Sequence, residues 1–150
     1  MIEIDKIEKL NRSMQNIIGL LHIDQPEQYS EVLRDFRIMD LHVLAVLSEN
    51  PGIKLTEICA RLDIPNSTLT SIIDRLEKKN YLKRVLNTSD RRSFGFEITG
   101  EGDEIVAEHD RVHSLIAARI LSFLDETEKE SLFKIFIKVE DEIRKEEQIK

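Results

Sequence analysis

The chain has 150 residues, of which 41% are apolar and 34% charged, and its formal net charge is -7. Five glycines, three prolines and one cysteine suit a helix-rich protein and exclude an internal disulfide framework, while the length leaves no room for a catalytic domain beside a binding module. No apolar run approaches the roughly 20 residues of a bilayer span, and the start Met1-Ile2-Glu3-Ile4-Asp5 lacks a basic leader, so a cytoplasmic protein with no membrane partner is expected.

Ile4, Ile7, Leu10, Met14, Ile17, Ile18 and Leu21 recur at intervals of three and four, which predicts an amphipathic helix over residues 4–21, ended by a loop around 24–26. The next apolar run is Val32, Leu33, Phe36, Ile38, Met39, Leu41, Val43, Leu44, Val46 and Leu47. It reads as one helix, apolar around much of its circumference and therefore central, stopped by the turn-forming Asn50-Pro51-Gly52. Residues 55–62 make a helix of about two turns with Leu55, Ile58, Cys59 and Leu62 facing inward, where the lone thiol packs as a small hydrophobe. After the tight link Asp63-Ile64-Pro65, Asn66 or Ser67 is expected to cap a helix with Leu69, Ile72, Ile73 and Leu76 along its apolar edge. Its other face carries Thr68, Ser71, Arg75, Lys78 and Lys79, with Thr70 and Asp74 on a flank. Two short helices joined by so brief a turn, the second opening on small polar residues, form the pattern of a helix-turn-helix.

From Tyr81 the period shifts to two, and residues 81–86 and 93–98 read as short strands joined by the polar Asn87-Thr88-Ser89-Asp90-Arg91-Arg92. The result is a hairpin with a basic tip. Thr99 is expected to cap a long helix containing Gly102, Ile105, Val106, Val112, Leu115, Ile116, Ile120, Phe123 and Leu124. Asp125-Glu126-Thr127-Glu128 opens a last helix with acid where the helix dipole favours it, and this helix is expected to bury Leu132, Phe133, Ile135, Phe136, Val139 and Ile143.

A net charge of -7 argues against a polyanionic partner, because affinity for DNA rests on Lys and Arg neutralising phosphates. Its distribution argues the other way. Residues 51–95 hold nine basic side chains against five acidic ones, a net of +4 that leaves -11 on the rest of the chain. A positive segment in an acidic frame turns the middle of the protein toward a polyanion. Asn66, Ser67, Thr68, Thr70 and Ser71 are short enough to let a helix N-terminus enter the major groove, where its free N–H groups hold a phosphate, and Arg75 is long enough to reach a guanine edge or the backbone.

Asp90-Arg91-Arg92-Ser93, followed by Ile98-Thr99-Gly100-Glu101-Gly102, resembles the D-x-R wing motif and the L-T-x-x-G helix entry of the MarR family. Leu82 and Arg84 resemble the family's wing start, and Asp74-Arg75-Leu76-Glu77 the end of its recognition helix, so the resemblance runs from about Lys6 to about Ile143. It implies a mainly α fold in one domain over 1–150: a winged helix-turn-helix module over about 37–99 with a two-stranded wing, and dimerisation helices over about 4–21 and 103–147. The implied activity is that of a sequence-specific regulator, not an enzyme: a homodimer that represses from a palindromic operator and lets go when a small effector, often aromatic and anionic, binds. No cofactor is required, and nothing in the residues identifies the effector. The implied DNA-binding set is Asn66, Ser67, Thr68, Thr70, Ser71, Arg75, Arg84, Asp90, Arg91 and Arg92, with Arg92 in the minor groove and Asp90 aiming it.

His109 and His113 lie four apart on one helical face, a spacing that lets two imidazoles meet one metal and suits zinc. With His42 and Asp24 they resemble the primary site of a zinc-responsive branch of the same family, which has Glu where this chain has Asp24. Zinc-responsive regulation is therefore one alternative. A winged helix that binds a protein instead of DNA is another, because a fold alone does not fix a function. The apolar stripes of the first and last helices exceed what one winged module needs, which leaves two outcomes: an interface between copies, or packing of the stripes within one chain.

Overall fold

In chain order, the apolar periods produce helix α1 (Ile4–Leu20), two single-turn 3-10 helices (Pro26–Gln28 and Glu31–Leu33), α2 (Ile38–Glu49), α3 (Leu55–Leu62) and α4 (Asn66–Lys78). Strands β1 (Leu82–Leu86) and β2 (Phe94–Ile98) follow, then α5 (Gly100–Leu121) and α6 (Glu126–Gln148). This computed structural model describes residues 4–86 and 94–148, so Asp90, Arg91 and Arg92 of the expected wing tip lie outside the described residues. The chain forms two compact units, Met1–His113 and Ser114–Lys150. Among the described residues no helix is long and apolar enough to cross a membrane.

In the first unit α2 is central, as its apolar circumference predicts. Leu41, Val43 and Leu44 are at most 1% exposed, and α2 packs against α3, α4 and β2. Ile58 of α3, Leu69, Ile72, Ile73 and Leu76 of α4, Leu82 of β1 and Phe96 of β2 join this core, as do Leu33, Ile105 and Val112. The strands pair antiparallel, with Leu82 opposite Ile98 and Arg84 opposite Phe96. Gly52 takes the left-handed φ of +83° that the turn after α2 requires. The architecture is a mainly α winged helix-turn-helix.

Three expectations need correction. The run from Val32 to Leu47 is not one helix, because α2 starts only at Ile38 and Arg37 before it is extended. Tertiary contacts hold the earlier segment: the Tyr29 hydroxyl donates to the Leu21 carbonyl (2.6 Å), and the Phe36 ring lies 4.9 Å from that of Tyr81. Neither Asn66 nor Ser67 caps α4; Pro65 occupies that position without a side-chain hydrogen bond, and the two polar residues open the helix itself. The left-handed Asp63 (φ +50°) turns the chain so tightly that helical geometry resumes immediately after Pro65. Finally, Phe133, Ile135, Phe136, Val139 and Ile143 of α6 are each more than half exposed within one chain.

The second unit contains the end of α5 and all of α6. Asp125 N–H donates to Glu128 and Glu128 N–H donates back to Asp125, at 2.9 and 2.8 Å, a reciprocal cap that starts α6 at its acidic turn.

Candidate nucleic-acid interface

The helix-turn-helix presents α4 with one face sealed and the other open. Its apolar edge is at most 4% exposed, whereas Asn66, Ser67, Thr68, Thr70 and Ser71 all lie on the surface. With Pro65 as a cap that offers no side-chain acceptor, the first N–H groups of α4 point into solvent unpaired by their own helix. Thr70 donates its hydroxyl to the Asn66 carbonyl (2.9 Å) and Ser71 to that of Ser67 (3.0 Å). Each hydroxyl therefore spends its proton within the helix and keeps oxygen lone pairs free to accept a further hydrogen bond.

Two of the four arginines assigned to DNA, Arg75 and Arg84, are engaged within the protein. Arg75 donates from Nε (3.2 Å) and Nη2 to the two carboxylate oxygens of Asp40, whose side chain is 3% exposed. Arg84 on β1 pairs with Asp74 and, at 3.0 Å, with Glu77, tying the base of the wing to the end of α4. Arg61 pairs with Glu49 and Lys83 with its cross-strand neighbour Glu97. Asp40, Glu49 and Glu97 all stand outside residues 51–95, so the +4 of that segment overstates the positive field at its surface. Sequence reasoning passed over Asp40, although a carboxylate interrupting Ile38-Met39-Leu41 was the available signal.

The wing base is locked to α5 through the expected helix entry. Thr99 Oγ1 accepts from Gly102 N–H (3.1 Å), as the cap requires, and donates to the Asn80 carbonyl (2.6 Å), while Thr99 N–H donates to the Tyr81 carbonyl (3.2 Å). Asn80 sits at φ +61°, a conformation asparagine tolerates. The chain approaches so closely here that a Cβ built on Gly102 would stand 2.0 Å from the Tyr81 carbonyl oxygen. The motif is thus a joint between α4, the hairpin and α5.

The histidines also converge. The His109 ring lies 4.1 Å from that of His113 and 6.1 Å from that of His42. His109 is 2% exposed, and both its ring nitrogens lack a hydrogen-bond partner among the described residues. Burial, followed by the neighbouring His113 and His42, holds its pKa down to about 4 against the pull of Asp110; His42 is also lowered, by burial and then by His113. Ligand atoms of His109, Asp110 and His113 lie within 4.8 Å of one another. The expected carboxylate, Asp24, is an exposed loop residue outside that group; Asp110, adjacent to His109 on α5, is the carboxylate the helix delivers.

The sequence model described as the MarR family matches residues 38–94, from the start of α2 into β2. The HTH-type transcriptional repressor MdtR of Bacillus subtilis is 42% identical over 88 residues, 59% of this chain and 57% of that protein, so the chain spans little more than half the length of this curated relative. The crystal structure of the YusO protein of Bacillus subtilis is similar with a TM-score of 0.71 and 30% identity, covering 93% of this chain and 99% of that one. FabT of Streptococcus pneumoniae, solved in complex with DNA, has a TM-score of 0.76 at 22% identity and covers 95% and 99% of the two chains, a likeness of fold.

Proposed function

Because this chain belongs to the MarR family, we propose that it is a cytoplasmic homodimer that binds a palindromic operator and represses transcription until a small effector releases it. It is a regulator and not an enzyme. The observation that carries this reading is the surface of α4: a sealed apolar edge opposite exposed Asn66, Ser67, Thr68, Thr70 and Ser71, with an uncapped N-terminus leading. That surface offers donors to a phosphate and short side chains to base edges. Repression is the reading that agrees with the name of MdtR.

The second copy is supported by exposed apolar area. Ile4, Ile7, Leu10 and Met14 of α1 and Phe133, Phe136, Val139 and Ile143 of α6 are each more than half exposed, a load that soluble monomers rarely carry. Two copies with α4 roughly 34 Å apart read successive major-groove faces, and twofold symmetry of the protein is then matched by a palindrome. Selection of bound duplexes from a random library, repeated with small aromatic acids, tests the reading. Recovery of a palindrome, bound with an affinity that falls steeply with salt, is expected. Failure to retain any duplex at low ionic strength overturns it and leaves a winged helix that binds protein.

A second reading, regulation by zinc, is favoured by the buried His109, whose two ring nitrogens have no partner among the described residues. Leaving a buried polar atom unpaired costs about 1–3 kcal/mol, and a metal ion would satisfy one of the two nitrogens. The donor set fits: His109, His113 and Asp110 would hold the ion, with His42 as the nearest further imidazole. Zinc would there join α2 to α5. One equivalent of zinc in purified protein, lost when His109 and His113 are both replaced by alanine, is expected; no binding at micromolar zinc removes this reading.

A further inference from the structure

Three N–H donors converge on one buried carboxylate. Asp40, in the first turn of α2, accepts from the backbone N–H of Arg37 (3.3 Å) and from Nε and Nη2 of Arg75, 35 residues further along the chain. Its side chain is 3% exposed and that of Arg75 29%. A buried ion pair is a poor source of net stability compared with apolar packing, and α4 is already sealed by Leu69, Ile72, Ile73 and Leu76. What the pair adds is direction. Apolar contacts tolerate sliding and rolling of a helix, whereas a planar guanidinium fork matches a carboxylate in one geometry.

We propose that Asp40 is a positioning residue for DNA recognition: by gripping Arg75 on α2 it fixes the roll and register of α4, so that Thr68 and Ser71 meet the bases. This rests on the DNA-binding reading above. Arg75 stands four residues after Ser71 and seven after Thr68, on the same stripe of the helix, so anchoring it sets the azimuth of both. With side chains included the helix has a radius of about 5–6 Å, and a roll of about 10° displaces a side-chain tip by about 1 Å. Contacts of a recognition site hold only within about 0.5 Å. Nε–H and one Nη2–H of Arg75 are committed to Asp40, which occupies the side-on fork of the guanidinium and makes Arg75 an anchor.

The test measures binding of a duplex recovered by selection and of a scrambled duplex of equal length, across a range of salt. Asp40→Asn and Arg75→Lys are each expected to lose about tenfold in affinity for the selected duplex, the scale of one spoiled base contact. Affinity for the scrambled duplex is expected to hold, or to rise for Asp40→Asn because a negative charge has gone, and the salt slope to stay as in the wild type. The double variant Asp40→Asn with Arg75→Gln leaves no buried charge unpaired, so it folds where a single variant fails, and it is expected to lose no more than either single one. Equal losses on both duplexes would mean a merely structural pair and overturn the proposal. A slope reduced by about one for the double variant, which removes the Arg75 charge, and not for Arg75→Lys or Asp40→Asn, which keep it, would make Arg75 a phosphate contact and also overturn it. Wild-type binding with unaffected variants overturns this assignment alone; a wild type that binds no duplex overturns the DNA-binding reading and this assignment with it.

Discussion

Replacing Gly102 by alanine is expected to destabilise the protein severely, although alanine is the better helix former by about 1 kcal/mol. The added Cβ would stand 2.0 Å from the Tyr81 carbonyl oxygen, 2.6 Å from Ile98 Cγ2 and 3.0 Å from the Tyr81 carbonyl carbon. Backbone cannot yield as a flexible side chain can, so α5 and the wing base must separate by about 1 Å, the gap between that contact and an acceptable one. That movement breaks the joint made by Thr99 with Asn80, Tyr81 and Gly102, three hydrogen bonds worth about 1 kcal/mol each, and adds an overpacking cost of about 1–3 kcal/mol. Less the gain in helix propensity, the net loss is roughly 3–5 kcal/mol, a fall in Tm on the order of 10 °C for a chain of this size. The assay is thermal unfolding followed by circular dichroism at fixed protein concentration. Gly100→Ala is the internal control: it lies in the same turn of α5 with nothing within 4 Å of its added Cβ, and its Tm is expected to stay level or rise slightly. A Gly102→Ala melt within about 2 °C of the wild type would refute the close approach.

Phe136→Asp, at a side chain 68% exposed in one chain, is expected to weaken dimerisation roughly thousandfold, since a symmetric interface carries the change twice; sedimentation showing an unchanged dimer would count against α6 as the interface. In metal-free protein the unfolded imidazole of His109 takes up a proton at the ordinary 6.5, whereas the buried one resists to about 4. Its contribution is therefore fully present above about pH 6.5 and lost as the pH falls towards about 4. Urea unfolding between about pH 7 and 5 should show that loss, and His109→Gln should flatten it; parallel profiles would contradict the assignment. Arg92→Ala in the wing is expected to cost at least about tenfold in affinity for the selected duplex at physiological salt with the dimer intact, and an unchanged gel-shift affinity would refute its minor-groove role.

Local periodicity was enough to read most of the elements and the inward edge of α4, though not the break before Ile38 or the exposed stripe of α6. Leu69, Ile72, Ile73 and Leu76 announce the buried edge of α4 by spacing alone, and the shift to period two after Tyr81 announces the hairpin, because a helix or strand exposes its repeat within a few neighbouring residues. Thr99 as a cap was legible for the same reason. What spacing cannot report is which distant group a side chain finds. Arg75 looks like a free cation on the recognition face until folding brings Asp40 to it, and a sum over residues 51–95 counts charges along the chain, whereas Coulomb attraction counts them through space. The run after Val32 reads as helix until Tyr29 and Phe36 find partners in Leu21 and Tyr81, elsewhere in the chain, that hold it otherwise. Likewise, His109 and His113 were paired by helical spacing, but the burial that strips His109 of hydrogen-bond partners belongs to the packed unit as a whole. Sequence by itself determined most of the elements and the buried edge of the recognition helix; tertiary structure decided where the helix before Leu47 begins and the partners of the charged and ionisable groups, because those depend on distances that exist only once the core has closed.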